Sequence, residues 1–138
     1  MEDIVVLHLP FPPSVNNYYA KTRNGIFIKA KGKKFREDVI SAVNEQGCYM
    51  LGLEEKLKVI IIIHWPDRRI RDIDNYLKGL FDAITHAGVW LDDKQVRCMM
   101  VFDGENVKGG KVIVAIEEDS GFRVPLGAES VVINEFME

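Results

Sequence analysis

The sequence predicts an α+β protein: a single two-layer domain in which a mixed sheet of about four strands packs with two main helices. Three observations lead there. Apolar β-branched runs at residues 4–9 and 58–65, with shorter ones at 96–102 and 111–116, read as strands. Helical periodicity marks residues 33–47 and 75–87. A chain of 138 residues with 47% hydrophobic and 28% charged residues has the size and composition of one globular domain with a real core.

Residues 4–9 (Ile-Val-Val-Leu-His-Leu) are stopped by Pro10, Pro12 and Pro13, so a first strand leaves into a stiff loop. Residues 12–19 (Pro-Pro-Ser-Val-Asn-Asn-Tyr-Tyr) combine turn chemistry with two aromatics. Two readings fit them: a rigid connection whose tyrosines pack on the core, and the wall of a binding groove. Lys21, Arg23, Lys29, Lys31, Lys33, Lys34 and Arg36 follow with no acid among them. A charge run is usually a solvated face, but seven cations without a counter-charge match an electrostatic footprint for a phosphate backbone. Phe27 lies between them, placed to stack or to pack. From Lys33 the helical pattern puts Phe35, Val39, Ala42 and Val43 on one face and stops at Gly47.

Residues 58–65 form the strongest strand, and the apolar run without alternation predicts a central strand covered on one or both faces. Pro66 ends it. The charged cluster at 67–74 therefore lies in the loop leaving the carboxyl end of a central strand, where ligand sites of open sheets concentrate. In the next helix Tyr76 or Leu77, Leu80, Phe81 and Ile84 share a stripe, Gly88 is a stop, and Asp74 sits where an N-cap belongs. Residues 89–95 turn into the strand at 96–102, and Gly104, Gly109 and Gly110 bracket a loop before 111–116, which should pair back as a hairpin. Beyond Glu118 the chain is irregular, with Val131, Val132 and Ile133 expected as a small edge element.

The longest apolar run, residues 59–63, is far too short to span a bilayer, and Glu2 and Asp3 stand where a secretory signal would carry lysines. No membrane is expected as a partner, and the reading is cytoplasmic. Cys48 and Cys98 lie fifty positions apart and form no metal or disulfide pattern. The formal net charge of −3 is unevenly distributed. Residues 117–138 hold six acids (Glu117, Glu118, Asp119, Glu129, Glu135, Glu138) against Arg123, which leaves residues 1–116 at about +2.

The chemistry concentrates at Asp67-Arg68-Arg69-Ile70-Arg71-Asp72-Ile73-Asp74-Asn75. Arginine forks meet phosphate oxygens, while carboxylates bind a hard cation such as Mg²⁺. In extended backbone Asp72 and Asp74, two apart, point the same way. Asp92 or Asp93 lies past a helix that returns the chain if the loops are short, and Lys78, four residues beyond Asp74, rises from the first helical turn. Each acid alone has a plain structural explanation: a cap for Asp74, a pairing with Arg69 or Arg71 for Asp72, a solvated turn for Asp92 and Asp93. An EF-hand is excluded because its glycine and glutamate positions, counted from Asp72, hold Leu77 and Ala83. An aspartyl-phosphate site is excluded by Pro66 and the polar residues between strand and acids, and no serine or cysteine nucleophile has a base.

Taken in order, Pro12-Pro13-Ser14-Val15-Asn16-Asn17-Tyr18-Tyr19, the block from Asp67 to Lys78, Phe81-Asp82-Ala83, Ala87 to Val96 with its Leu91-Asp92-Asp93 turn, and Lys108-Gly109-Gly110 resemble the RusA-type Holliday junction resolvases over about residues 4–118. The resemblance implies a homodimeric, Mg²⁺-dependent endonuclease of phage or prophage origin, with Mn²⁺ a substitute ion, that resolves four-way DNA junctions by paired symmetric nicks. It implies Asp72, Asp74 and Asp93 as catalytic, metal-binding aspartates, Lys78 as catalytic lysine and Arg71 as the arginine beside the first aspartate. Arg68, Arg69 and Arg71, with Lys21, Arg23, Lys29, Lys31, Lys33 and Lys34, are the expected DNA-binding cations. Residues 1–118 form the expected nuclease domain and 119–138 an acidic C-terminal extension. Two other readings stand beside this one: a flap or single-strand nuclease without junction preference, and a branched-DNA-binding protein that does not cut.

Overall fold

The computed structural model describes residues 1 and 3–137; Glu2 and Glu138, counted above among the acids, lie outside the described residues. The elements in chain order are β1 (Val5–Pro10), α1 (Val15–Tyr18), β2 (Tyr19–Thr22), β3 (Gly25–Ile28), α2 (Ala30–Glu45), β4 (Leu57–His64), α3 (Asp74–His86), β5 (Val96–Asp103), β6 (Lys111–Glu118) and α4 (Glu129–Phe136), with a 3-10 turn at Asp93–Gln95.

The expected mixed sheet is present, in the order β1-β6-β4-β5. In β4 the buried positions Leu57, Val59, Ile61 and Ile63 alternate with half-buried ones, so one face takes the core. They meet Phe35, Val39 and Val43 of α2 and Leu80, Ala83 and Ile84 of α3 in one cluster. Burying each such aliphatic side chain stabilises the fold by about 1.5–3 kcal/mol.

The expected hairpin between β5 and β6 is not formed. β4 lies between them, parallel to β5 (Ile61 opposite Val101) and antiparallel to β6 (Ile61 opposite Val114). The crossover through α3 delivers β5 to one edge of β4, and the 104–110 loop carries the chain over to the other. That loop is fastened to the end of β4: Gly104 N–H donates to the Ile63 carbonyl (2.7 Å) and Val107 N–H to that of Trp65 (3.0 Å). β6 then gains β1 on its far side, which satisfies both rows of its backbone groups.

Three other local expectations change. Val131, Val132 and Ile133 lie in a helix, α4, not at a sheet edge. Val132 and Phe136 recur at helical spacing, and the Glu129 carboxylate accepts the Gly127 N–H (2.7 Å) where the helix begins. Asp74 is the first residue of α3, not its N-cap; Ile73 flanks the helix and makes no side-chain cap. The cationic run also conceals a hairpin, β2 with β3, turned at Arg23-Asn24, with Gly25 opening β3 at φ +123°.

α2 starts three residues ahead of Lys33, because Gly32 is a packing residue and no breaker. A Cβ there would stand 2.6 Å from the Tyr18 carbonyl oxygen, and one at Gly79 of α3 would stand 2.7 Å from the Tyr18 ring. The fully buried Tyr18 thus sits in a slot cut into both helices. Among the described residues no helix is long and apolar enough to cross a membrane.

Candidate active site and nucleic-acid interface

The loop between β4 and α3 is organised by Asp67. Its Oδ1 accepts the Arg69 backbone N–H (2.9 Å) and Arg71 Nη1 (2.8 Å), and its Oδ2 accepts Arg71 Nη2 (3.0 Å). The Arg71 hydrogen bonds, aided by the Arg69 N–H, hold the Asp67 carboxyl well below the ordinary carboxylate range and raise the Arg71 guanidinium in turn. Arg71 is consequently turned inward, its side chain 11% exposed, while Arg69 is 79% exposed. Beneath them Phe11, Trp65 and Tyr76 pack edge to face or tilted, with centroids 5.3–5.7 Å apart, and Trp65 Nε1 donates to Asp103 (2.8 Å). Sequence reasoning missed Asp67 as the partner of Arg71; the signal was their spacing of four.

With Arg71 engaged elsewhere, Asp72 and Asp74 are exposed and, among the described residues, have no ion-pair partner. Of the other expected catalytic groups, Lys78 lies one turn further along α3 and Asp93 beyond the helix, in the 3-10 turn. Lys78 stands over the Tyr19 ring at 5.2 Å, a cation–π contact. Burial, then the charge of Asp82, pushes the Tyr19 phenol up to about 12. One turn on from Lys78, Asp82 accepts hydrogen bonds from the Tyr18 hydroxyl and from Arg36 Nε (2.9 Å) and Nη2 (2.7 Å), tying α1, α2 and α3 together.

Asp92 and Asp93, equivalent in the sequence, have different surroundings. Asp92 caps the 3-10 turn: its side chain accepts the Lys94 N–H (2.8 Å) while Gln95 Oε1 accepts the Asp92 N–H (2.8 Å). Asp93 lacks that duty. Its carboxyl is raised, first by desolvation, then by the hydrogen bond with Asp92 and the charges of Asp92 and Asp82.

The oxygen donors at 72, 74 and 93 have the chemistry of a hard-cation site. Their arrangement within one chain does not yet make one: among the described residues no three His, Cys, Asp or Glu side chains are grouped to hold an ion. The topology gives the reason. Asp72 and Asp74 follow the carboxyl end of β4, whereas Asp93 precedes the amino end of β5, which is paired beside Leu57. α3 lies between them in the chain, and Asp93 faces its middle: the Asp93 charge acts on Tyr19, over which Lys78 stands, and Asp82, two turns on from Asp74, acts on Asp93.

The cations are distributed on two elements that face one groove. It is lined by Pro12, Pro13, Ser14 and Asn17, by Lys31 and Lys34 of α2, and by Arg69 and Arg71. Within residues 12–19 Tyr18 is core, as the rigid-connection reading expects, and Pro12 and Pro13 line the groove. Lys31, Lys33 and Lys34 occupy the first turn and a half of α2, where no acid is present. Lysines are disfavoured at that end of the helix dipole, and together with it they make a strong positive pole for an anion. Lys34 is paired with Asp38 (2.7 Å) and Lys29 donates to the Asn16 carbonyl (3.1 Å). Lys21 and Arg23 project from the β2–β3 hairpin, and Arg68 is exposed in the arginine loop.

The family model described as endodeoxyribonuclease RusA matches residues 10–117. A crossover junction endodeoxyribonuclease RusA of Shigella sonnei is 42% identical over 110 residues, covering 80% of this chain and 91% of that protein. Its namesake in Escherichia coli K12 is 41% identical over 110 residues, with the same coverage. A third, from Enterobacteria phage 82, is 42% identical over 111 residues.

Proposed function

The chain belongs to the endodeoxyribonuclease RusA family, and on that footing we propose that it is a Mg²⁺-dependent Holliday junction resolvase that acts as a homodimer in the cytoplasm and resolves four-way DNA junctions by paired symmetric nicks. The observation that supports this most directly is the shared groove of Lys31, Lys34, Arg69 and Arg71, which ends one residue short of Asp72. A strand laid along it would meet Lys31 on one wall and the exposed Arg69 on the other, with Lys34 and Arg71 held beside them by Asp38 and Asp67.

Asp72, Asp74 and Asp93 are the proposed metal ligands. A bound Mg²⁺ would act as a Lewis acid toward the scissile phosphate and lower the pKa of an attacking water. The chain's own groups do the rest. Asp67 holds the arginine loop in one conformation, Arg68 and Arg69 carry the exposed positive charge, and Tyr19 steadies the Lys78 ammonium for charge on the phosphoryl oxygens. A twofold dimer suits a twofold substrate, since one gene product then supplies two equivalent sites. The outer face of the sheet, where Phe102 is exposed and Ile60 and Ile62 half buried, supports a second copy. Residues 1–118 are the proposed nuclease domain and 119–138 an acidic extension of it.

The test is gel analysis of labelled four-way, flap and linear DNA with and without Mg²⁺. Symmetric nicks in the four-way junction alone, dependent on the ion, are expected. Equal cutting of flaps would replace the reading with a general branched-DNA nuclease, and binding without nicks in Mg²⁺ or Mn²⁺ would leave a binding protein.

A further inference from the structure

Ile70 has no role in the site as described, and its placement is unusual. It is 100% exposed, and its nearest neighbours in sequence are the charged Arg68, Arg69, Arg71 and Asp72. A single exposed aliphatic residue is ordinary on a protein surface. Here, however, the backbone that presents it is fixed on both sides by one carboxylate: Asp67 holds the Arg69 N–H before it and the Arg71 guanidinium after it. A loop made only to grip phosphates gains nothing from an isoleucine at its most exposed point. A loop that also meets bases does, because branched aliphatic side chains enter between base steps and unstack them.

We propose that Ile70 is a wedge that enters the base stack at the branch point while Arg68 and Arg69 hold the flanking phosphates, so that it selects DNA whose stacking is already interrupted. This rests on the nuclease reading above. Unstacking costs least where a base is already unpaired or poorly stacked, so a wedge two residues ahead of Asp72 makes branched DNA the favoured occupant of the groove. Ile70 is a specificity and positioning residue; it touches no reacting atom.

The experiment uses the full chain and a four-way junction carrying the fluorescent base aminopurine beside the branch point, in the absence of divalent ion so that no strand is cut. Wild-type protein should raise the fluorescence on binding. Ile70→Ala should lose most of that rise and about tenfold of its preference for the junction over linear duplex, with the salt dependence of binding unchanged because no cation is removed. Ile70→Leu should restore both. The side chain is fully exposed, so the alanine variant leaves no cavity and should melt with wild type. A full fluorescence rise with Ile70→Ala, or a loss that Ile70→Leu does not restore, overturns the wedge. Wild-type protein that binds and cuts junctions without any rise also overturns it and leaves the nuclease reading intact. Wild-type protein that binds no junction fails the nuclease reading first.

Discussion

The loop after β4 and the segment after β6 both leave the sheet with an aliphatic side chain in open water, Ile70 at 100% and Leu126 at 99% exposure, yet they are held in different ways. The first is cationic and fastened: Asp67 binds Arg69 and Arg71, and an aromatic cluster lies beneath. The second is acidic and locally bonded. Arg123 reaches back to Asp119 (3.3 Å), Glu129 to Gly127, and α4 buries no residue. Exposure alone therefore identifies nothing; fixation together with charge does. The same contrast explains how a chain of net charge −3 can be read as a nucleic-acid protein, because the acids after residue 116 outweigh a slight excess of cations, about +2, in residues 1–116.

The largest effect should come from the acids that the loop delivers. Asp72→Asn or Asp74→Asn is expected to lower junction cleavage by about a thousandfold or more. Binding should be kept or tightened, since a negative charge near phosphate is removed, and a gel-shift titration alongside the cleavage assay checks both. The melting temperature should hardly move, as the Asp74 side chain caps nothing.

Next is the fastening itself. Asp67→Ala frees the Arg69 N–H and the Arg71 guanidinium together, and cleavage should fall about ten- to a hundredfold by displacement of neighbouring groups. Single-turnover rates at saturating protein measure it. A rate within twofold of wild type would mean that the loop needs no fixing and would erase the contrast with the tail. A smaller effect belongs to the other wall of the groove. Lys31→Ala with Lys33→Ala should weaken binding to every DNA alike and reduce the slope of log affinity against log salt by about two.

The smallest effect is expected at the tail. A chain ending at Glu118 loses Asp119, Glu129, Glu135 and Glu138 with Arg123, which brings the formal net charge from −3 to 0. DNA affinity should rise a few-fold at low salt and converge with wild type at high salt. Unchanged affinity at low salt would show that the acids lie too far from the groove to matter.

What the sequence made legible follows from how local each signal is. β4, α2 and α3 were readable because apolar spacing reports the buried face directly, and the acids and cations because their types carry the chemistry. Partner choice was not readable. Nothing within residues 96–116 says that β4 will come between β5 and β6, since that is decided by the α3 crossover that precedes them. The cation run concealed the β2–β3 hairpin, although Asn24-Gly25 was in view. At Asp92 and Asp93 the deciding residue was Gln95, whose side chain makes Asp92 a cap and leaves Asp93 to its neighbours. Asp82 went unread as the junction of three helices because its partners, Tyr18 and Arg36, are distant along the chain.

The slot around Tyr18 sets a limit on how this fold can drift. Gly32 and Gly79 are the positions with least to lose in side chain, yet any replacement at either must push the ring or a backbone oxygen aside. Substitution there would pry apart the pair of helices that bear the lysines and the first acids, so the evolutionary freedom of the catalytic surface is bounded from beneath by two hydrogen atoms.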